Sequence, residues 1–238
     1  LGDPVSPFDG AIKEKYQVLG SDAAGIVWAV GKKVTRVKPG DEVVIHCNQD
    51  DGDDEECNGG DPMFSQSQRI WGYETPDGSF AQFCRVQDRQ LLERPKHLSW
   101  EESACYTLTL ATAYRMLFGH RPHVLRPGHN VLVWGAAGGL GAFAVQLCAK
   151  GVSTRKNFKC WGQLPKLGSP EYNTWLKEMR GFGKAIWDIT GKGVNVDCVF
   201  EHPGETTIPV SVQVVKRGGM VVICAGTTGY NLTMDARY

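Results

Sequence analysis

A glycine-rich segment near the middle of the chain has the residue types and spacing to bind a phosphate group. It follows the apolar run VLVW and precedes the apolar run AFAVQLCAK. Glycines there let a strand-to-helix turn tighten and let the backbone approach a pyrophosphate, with the helix amino end facing the phosphates. A purely structural turn is the alternative. We expect nucleotide binding at Gly135, Ala137, Gly138, Gly139, Leu140 and Gly141.

The segments around this turn alternate between helix and strand. Ser99, followed three residues later by Glu102, is typical of a capping box and predicts the start of a helix. The segment EYNTWLKEMRGFGKAIWDIT predicts a further helix, and VNVDCVFE and GGMVVICAG predict buried strands. Such alternation indicates an α/β domain with a doubly wound parallel sheet, which we expect over residues 98–238.

Residues 1–97 have the pattern of a β-rich domain. Apolar and polar residues alternate over residues 18–47, between turns at VGKKV and KPGDEV, and GSFAQFCRVQ predicts another strand. These features indicate an antiparallel, barrel-like domain. Residues 48–68 are expected to form a surface loop, whose acidic run DDGDDEE lacks the ligand spacing of a calcium-binding loop.

Composition excludes several classes of partner. Lys plus Arg and Asp plus Glu both total 26, so the balanced charge argues against nucleic acid and anionic membranes. No run approaches the roughly 20 apolar residues of a membrane span. The eight cysteines include no CxxC pair, and several lie in apolar segments, which is typical of a reduced, cytoplasmic protein. A metal clip at Cys47 and Cys57 is a minor alternative.

In order along the chain, the KPGDEV turn, the ATAYRML helix and the GAAGGLG loop resemble the medium-chain dehydrogenase/reductase superfamily. The resemblance implies a GroES-like first domain and a Rossmann second domain. In the zinc alcohol dehydrogenases of that superfamily, the histidine of a Gly-His-Glu motif binds catalytic zinc, whereas this chain has Gly20, Ser21 and Asp22. Serine does not replace imidazole on zinc, so the resemblance implies a metal-free branch that reduces activated double bonds.

Longer motifs, such as RIWGYETPDGSFAQF, RKNFKCWGQLPKLGSPEYNTWLKE and GGMVVICAGTTGYNLTMDARY, are similar to crotonyl-CoA carboxylase/reductases. The resemblance implies a cytoplasmic homotetramer that uses NADPH. Its substrates would be CO2 and an α,β-unsaturated acyl-CoA of the crotonyl type, and its product an alkylmalonyl-CoA of the ethylmalonyl type. Two alternatives stay open: a zinc-free enoyl-CoA or quinone reductase without carboxylation, and a non-catalytic fragment.

The family resemblance also implies site residues. An aromatic residue and a glutamate line the CO2 pocket of the family, and here they are Tyr73 and Glu74. The asparagine and histidine that complete that pocket match nothing in residues 1–238, so we expect half of the carboxylation site. The resemblance places Arg217, Arg237 and Tyr238 at CoA. For the cofactor, strand ends and the resemblance together indicate Thr112, Glu201, His202, Ala225, Gly226 and Thr227.

One element of a dinucleotide-binding fold is missing from the sequence. A second strand should follow the helix of the glycine loop and end at the cofactor ribose about 20 residues later. After Lys150 the chain instead continues as GVSTRKNF, where relatives carry a βα unit of roughly two dozen residues. With no initiator Met, we expect an incomplete chain. Two explanations are open. Either the polypeptide contains this βα unit, or the chain truly lacks it and binds the cofactor poorly.

Overall fold

A computed structural model of the chain describes residues 16–119, 121–148 and 163–235. They form two compact units, which divide between Leu108 and Thr109. The predicted domain boundary after residue 97 stays a prediction. The junction at Lys150, where the sequence predicts a missing strand, lies outside the described residues, as do Arg237 and Tyr238.

The first unit is built on short antiparallel strands, as predicted. They are β1 (Ala23–Ile26), β2 (Glu42–Ile45), β3 (Asn48–Gln49), β4 (Arg69–Ile70) and β5 (Leu91–Glu93). β2 is the central strand of a sheet ordered β1-β2-β5, and β3 pairs with β4. The core of this unit contains Val43 and Ile45 of β2 with Trp71 and Leu91. Buried apolar residues in the middle strand therefore hold the sheet.

The strand predicted in GSFAQFCRVQ is wrong. Residues 79–86 form bends and irregular backbone, and no described strand pairs with them. Phe80 and Phe83 are 77% and 62% exposed, so the alternation does not mark a buried face. Phe83 instead packs against Trp28, with ring centroids 5.8 Å apart. Alternation produces a strand only where a neighbouring strand accepts its hydrogen bonds.

The predicted capping box is confirmed at the start of α1 (Trp100–Ala104). Ser99 Oγ accepts from the N–H of Glu102 at 3.1 Å, and the Glu102 carboxylate accepts from the N–H of Ser99 at 2.9 Å. The next helix, α2 (Thr107–Phe118), is anchored at its first residue, because Thr107 Oγ1 donates to the carbonyl of Ile45 at 2.7 Å.

The second unit contains the predicted parallel sheet. Its elements are β6 (Val131–Val133), α3 (Gly139–Cys148), α4 (Pro170–Thr190), β7 (Val196–Glu201), α5 (Ile208–Val214) and β8 (Val215–Ile223). The strand order is β6-β7-β8, and Val133, Phe200 and Val222 lie side by side. Val199 packs in a core with α4 and α5, and Phe200 packs in a second core with α2 and α3. Helices therefore cover both sheet faces.

α4 follows directly from its sequence pattern. Ser169 Oγ caps it by accepting from the N–H of Tyr172 at 3.1 Å, and Gly191 ends it with φ of +110°. Buried residues recur at spacings of three and four: Tyr172, Trp175, Met179, Phe182 and Ile186. No helix within the described ranges is long and apolar enough to cross a membrane.

Asp197 joins the amino ends of the strands. Its carboxylate accepts from the N–H of Asn130 at 2.7 Å, pairs with Lys216 and lies 3.9 Å from His129 Nε2. Burial would raise the pKa of Asp197, but Lys216, the Asn130 N–H and His129 together hold it below its usual value. The carboxylate therefore stabilises the folded state while it is charged.

We expect Asp197→Asn to lower the free energy of unfolding by about 1.5–3 kcal/mol at pH 7, the range for a hydrogen bond to a charged group. A lowered pKa gives stability that is present above the unfolded value of 3.8 and is lost as pH falls through the folded value. In urea denaturation, the difference from wild type should therefore shrink below pH 3.8. Asp188→Asn, on an exposed position of α4, is the control. If Asp197→Asn lowered the free energy of unfolding equally at pH 7 and below pH 3.8, the prediction would be contradicted.

Candidate functional site

The turn between β6 and α3 lies at the carboxyl edge of the sheet. Residues 135–139 are exposed, and Gly135 has φ of +67°. Gly138 N–H donates to the carbonyl of Gly135 at 2.9 Å, which closes the turn. A Cβ on Gly141 would lie 2.2 Å from that same carbonyl oxygen. Only glycine permits this contact, so the sequence folds here into the close strand-to-helix turn that phosphate binding needs.

The first turn of α3 leaves backbone N–H groups without intrahelical acceptors, as every helix does at its amino end. α2 lies beside the turn, because a Cβ on Gly139 would meet Thr109 Cγ2 at 3.2 Å. Thr112, predicted at the cofactor, is half-buried and lies three residues further along α2, on the same side of the helix as Thr109. The structure thus places α2 next to the glycine turn.

Two further loops lie at the same edge: the β7 loop, residues 202–206, and the β8 loop, residues 224–229. His202 Nδ1 is 2.8 Å from the carbonyl of Cys224. The carbonyl of Pro203 accepts from Thr228 Oγ1 at 2.8 Å and from its N–H at 2.9 Å. A Cβ on Gly204 would lie 3.2 Å from Gly226 Cα, so the backbones are in close contact. The predicted residues of these two loops are therefore brought together.

Ala225 has an unusual backbone. Its φ is +70°, a conformation that costs a residue with a side chain about 1–2 kcal/mol. Strain of this kind clusters at ligand-binding segments. Ala225 and Thr227 are exposed, whereas Gly226 is buried against Tyr230. The loop therefore holds two of the three predicted residues towards solvent at the edge where ligands bind in open α/β sheets.

Glu201, the last residue of β7, points inward. Its side chain is 0% exposed, and its carboxylate accepts from Thr207, the residue before α5, at 2.6 Å and from Ser211 of α5 at 2.5 Å. Glu201 was expected at the cofactor, but its carboxylate faces the core, so any effect on a ligand would pass through the loop that follows. The hydroxyl residues Thr207 and Ser211, four positions apart at the start of α5, were the signal for this burial.

Arg217 lies at the other end of β8. Val215 pairs with Val196, and Met220 pairs with Cys198, so residues 216–219 bulge out of the ladder. Arg217 is exposed in this bulge, towards the amino end of β8 and away from the carboxyl edge. The structure does not bring it together with the β7 and β8 loops.

In the first unit, the WGYET segment forms a turn held by its neighbours. Trp71 is fully buried, and its indole N–H donates to the carbonyl of Arg85 at 3.1 Å. Gly72 has φ of +73°, and a Cβ there would lie 1.9 Å from the carbonyl oxygen of Gly20. Tyr73 is 43% exposed, and the Glu74 carboxylate accepts from the N–H of Ile70 at 2.7 Å. The anchored tryptophan and glycine therefore fix where Tyr73 and Glu74 lie.

Sequence reasoning missed a pair of ionisable residues in this unit. Ala23 lies opposite Ile45, so the next residues along, Asp22 and His46, are cross-strand neighbours. Burial raises the pKa of Asp22 and lowers the pKa of His46, and each charge partly opposes the effect on the other. His46 Nδ1 accepts from the N–H of Asn48 at 3.1 Å. A histidine that ends a buried VVI run was the only signal.

Within the described ranges, no three His, Cys, Asp or Glu side chains form a group that could hold a metal. Cys47 and Cys57, considered above as a metal clip, are both free thiols. Burial raises the pKa of Cys47 to about 11. Its thiol is therefore protonated near neutral pH, which makes it a poor nucleophile and a poor metal ligand.

Comparison with known proteins agrees with this arrangement. Residues 5–96 match the alcohol dehydrogenase GroES-like domain. A crotonyl-CoA carboxylase/reductase of Cereibacter sphaeroides is 72% identical over 262 aligned positions, which cover 100% of this chain and 61% of that protein. A solved crotonyl-CoA carboxylase/reductase superposes with a TM-score of 0.92 at 69% identity, over 100% of this chain and 61% of that one.

A third relative was solved with ligands. The 2-octenoyl-CoA carboxylase reductase CinF, in complex with NADP and 2-octenoyl-CoA, has a TM-score of 0.77 at 35% identity, over 93% of this chain and 54% of that one. The GroES-like unit and the parallel sheet with its glycine turn define a medium-chain dehydrogenase/reductase. Within that superfamily, the chain is similar along its whole length to crotonyl-CoA carboxylase/reductases. It spans 61% of the length of the Cereibacter protein.

We expect Gly72→Ala to destabilise the protein by about 2 kcal/mol or more, since a positive φ costs a side chain about 1–2 kcal/mol and the new Cβ also meets the Gly20 carbonyl. Gly40→Ala is the matched control, because Gly40 has φ of +93° but open space around its Cβ position. Urea denaturation measures the free energy of unfolding of both variants. The difference between them separates the cost of the positive φ from the cost of the overlap between the new Cβ and the Gly20 carbonyl. Equal losses would show that the contact with Gly20 is unimportant.

Proposed function

We propose that this chain is part of an enzyme that reduces an α,β-unsaturated acyl-CoA with NADPH and adds CO2 at the α-carbon. With crotonyl-CoA the product would be ethylmalonyl-CoA. The observation that carries this proposal is the 72% identity with a crotonyl-CoA carboxylase/reductase along the whole chain. The NADP and 2-octenoyl-CoA bound to the relative CinF support the choice of cofactor and of substrate class.

The second unit would hold the cofactor. Gly135, Ala137 and Gly138 would face the pyrophosphate with Gly139, Leu140 and Gly141 at the amino end of α3, where the helix dipole favours negative charge. The fit is supported by the exposed turn and by the contact that excludes a Cβ at Gly141. When bound, NADPH supplies the hydride for the β-carbon of the substrate. No protein nucleophile is needed.

The other segments at this edge would contact the ribose and nicotinamide. We assign that role to Thr112 of α2, His202 of the β7 loop, and Ala225, Gly226 and Thr227 of the β8 loop. The strained backbone of Ala225 and the exposure of Thr227 support it. His202 is held by its ring contact with the Cys224 carbonyl, so its orientation would be fixed before the cofactor arrives.

The first unit would supply Tyr73 and Glu74 to the CO2 pocket. Hydride addition leaves negative charge on the α-carbon and the thioester oxygen, and CO2 is a weak electrophile, so the site must exclude protons and hold CO2 close. The Tyr73 ring would form a wall, and Glu74 would hold a water or the cofactor amide. The hydrogen bond from Ile70 N–H, which orients the Glu74 carboxylate, supports a fixed role.

Substrate, assembly and location complete the proposal. Arg237 and Tyr238 are assigned to CoA, since arginine pairs well with phosphate. Arg217 was assigned to CoA with them, and its exposed guanidinium is compatible with a phosphate contact away from the cofactor edge. We also propose a cytoplasmic homotetramer, which light scattering of the purified protein would test. Free thiols at the seven described cysteines support a reducing compartment.

Product mass tests the activity. The complete enzyme of which this chain is proposed to be part is incubated with crotonyl-CoA, NADPH and 13C-bicarbonate, and NADPH oxidation and the acyl-CoA masses are followed. We expect labelled ethylmalonyl-CoA. Butyryl-CoA alone would show a reductase without carboxylation. If NADPH is neither bound nor oxidised, the chain is a non-catalytic relative.

We expect Gly141→Ala to weaken NADPH binding at least tenfold, because its Cβ would push against the Gly135 carbonyl and displace the phosphate-binding turn. Gly181→Ala is the control: Gly181 lies within α4 with open space around its Cβ position. That change should leave NADPH affinity unaltered and raise stability by about 0.5–1 kcal/mol. Fluorescence titration with NADPH measures the affinities, and similar values for the two variants would contradict the assignment.

A further inference from the structure

The carboxylate of Glu201 is fully buried and accepts four hydrogen bonds. Oε1 accepts from Thr207 Oγ1 at 2.6 Å and from the N–H groups of His202 and Gly204 at 3.1 and 3.2 Å. Oε2 accepts from Ser211 Oγ at 2.5 Å. None of these partners is a cation. A buried carboxylate is costly unless it is hydrogen-bonded, so its retention here calls for a physical reason.

Two of the four donors are backbone groups of the β7 loop. By accepting from His202 and Gly204 at once, the carboxylate sets the path of this loop directly after the strand. Gly204 turns there with φ of +91°. The buried carboxylate therefore fixes the backbone of the β7 loop through these hydrogen bonds.

The β8 loop is in turn held by the β7 loop. Thr228 Oγ1 accepts from the N–H of Thr206 at 3.2 Å and donates to the carbonyl of Pro203 at 2.8 Å. The N–H of Glu205 donates to the carbonyl of Gly229 at 3.3 Å. Ala225–Thr227, which are the residues proposed to face the cofactor, lie between Thr228 and Cys224, whose carbonyl is 2.8 Å from His202 Nδ1. Their position thus depends on the β7 loop, whose backbone is hydrogen-bonded to Glu201.

The same network reaches the glycine turn from the other side. Trp134, the residue before Gly135, donates from its indole N–H to Ser211 Oγ at 2.9 Å. Ser211 in turn donates to Glu201. One carboxylate is therefore linked to all three segments at the carboxyl edge: directly to the β7 loop, through that loop to the β8 loop, and through Ser211 to the turn.

We propose that Glu201 is a positioning residue that holds the glycine turn, the β7 loop and the β8 loop in one arrangement and thereby sets the affinity for the nicotinamide cofactor. The proposal rests on the proposed function. Glu201 itself touches no ligand. A residue of this kind aligns backbone groups in advance, so that binding does not have to order them.

Three variants test this role. Glu201→Met removes every acceptor at similar side-chain length, and we expect NADPH to bind at least tenfold more weakly. Glu201→Gln should restore affinity to within about threefold of wild type. Its amide oxygen can still accept from the loop, and its NH2 can donate to Ser211, which then donates to the Thr207 carbonyl 3.1 Å away. Thr228→Val removes the hydroxyl contacts between the loops at an exposed position, and we expect a threefold to tenfold loss of NADPH affinity.

The control is Gln90→Met in the first unit. Gln90 is 1% exposed, accepts from the N–H of Gln87 and donates to the carbonyl of His46, so it too is a buried side chain that holds backbone. Its loss should lower the melting temperature but leave NADPH affinity unchanged. Thermal unfolding and NADPH fluorescence titration are run on all variants.

The outcomes separate the two proposals. Weaker NADPH binding by Glu201→Met and Thr228→Val, with recovery in Glu201→Gln, supports the positioning role. If Glu201→Met does not fold, Thr228→Val and Glu201→Gln decide. NADPH affinities within twofold of wild type in every folded variant among these would make Glu201 a core residue only and overturn the inference. If wild type itself does not bind NADPH, the proposed cofactor fails, and this role for Glu201 fails with it.

Discussion

The parallel pairing of β7 with β6 and β8 is the constraint on which the second unit depends. Parallel strands have all their carboxyl ends at one edge, so the segments that follow them must converge there. The glycine turn, the β7 loop and the β8 loop are far apart along the chain, yet they meet in space. Core packing on both faces of β7, through Val199 on one side and Phe200 on the other, holds this register.

Hydrogen bonds at the two edges of the sheet fix the backbone that core packing alone does not position. At the amino edge, Asp197 accepts from Asn130 and pairs with Lys216, which fixes the strand starts. At the carboxyl edge, Glu201 accepts from two loop N–H groups and from the hydroxyls of Thr207 and Ser211. Each carboxylate orders backbone that apolar contacts alone would leave free to shift. Each end of the sheet is therefore fixed by an acidic side chain of β7: Asp197 at the amino edge and Glu201 at the carboxyl edge.

In the first unit, close backbone contact does the corresponding work. Gly72 lies against the carbonyl of Gly20, and Gly78 lies against the carbonyl of Val18, at distances that leave no room for a Cβ. Together with the buried Trp71, these contacts hold the turn that presents Tyr73 and Glu74. The proposed CO2 pocket would need these two side chains in defined positions. The glycines and the tryptophan fix the backbone of a segment that has little regular secondary structure.

Local patterns in the sequence determined the elements whose cause is local. The capping box at Ser99, the three-and-four spacing of apolar residues in α4 and the glycine turn all depend on residues within one or two turns of each other, so they could be predicted. The alternation of elements determined the doubly wound sheet in the same way. Tertiary structure alone decided the rest, because it depends on pairing between distant segments. Residues 79–86 lack a partner strand, the bulge at 216–219 separates Arg217 from the cofactor edge, and Asp22 meets His46 across two strands. Glu201 turns inward because Thr207 and Ser211, at and after the start of α5, donate hydrogen bonds to its carboxylate.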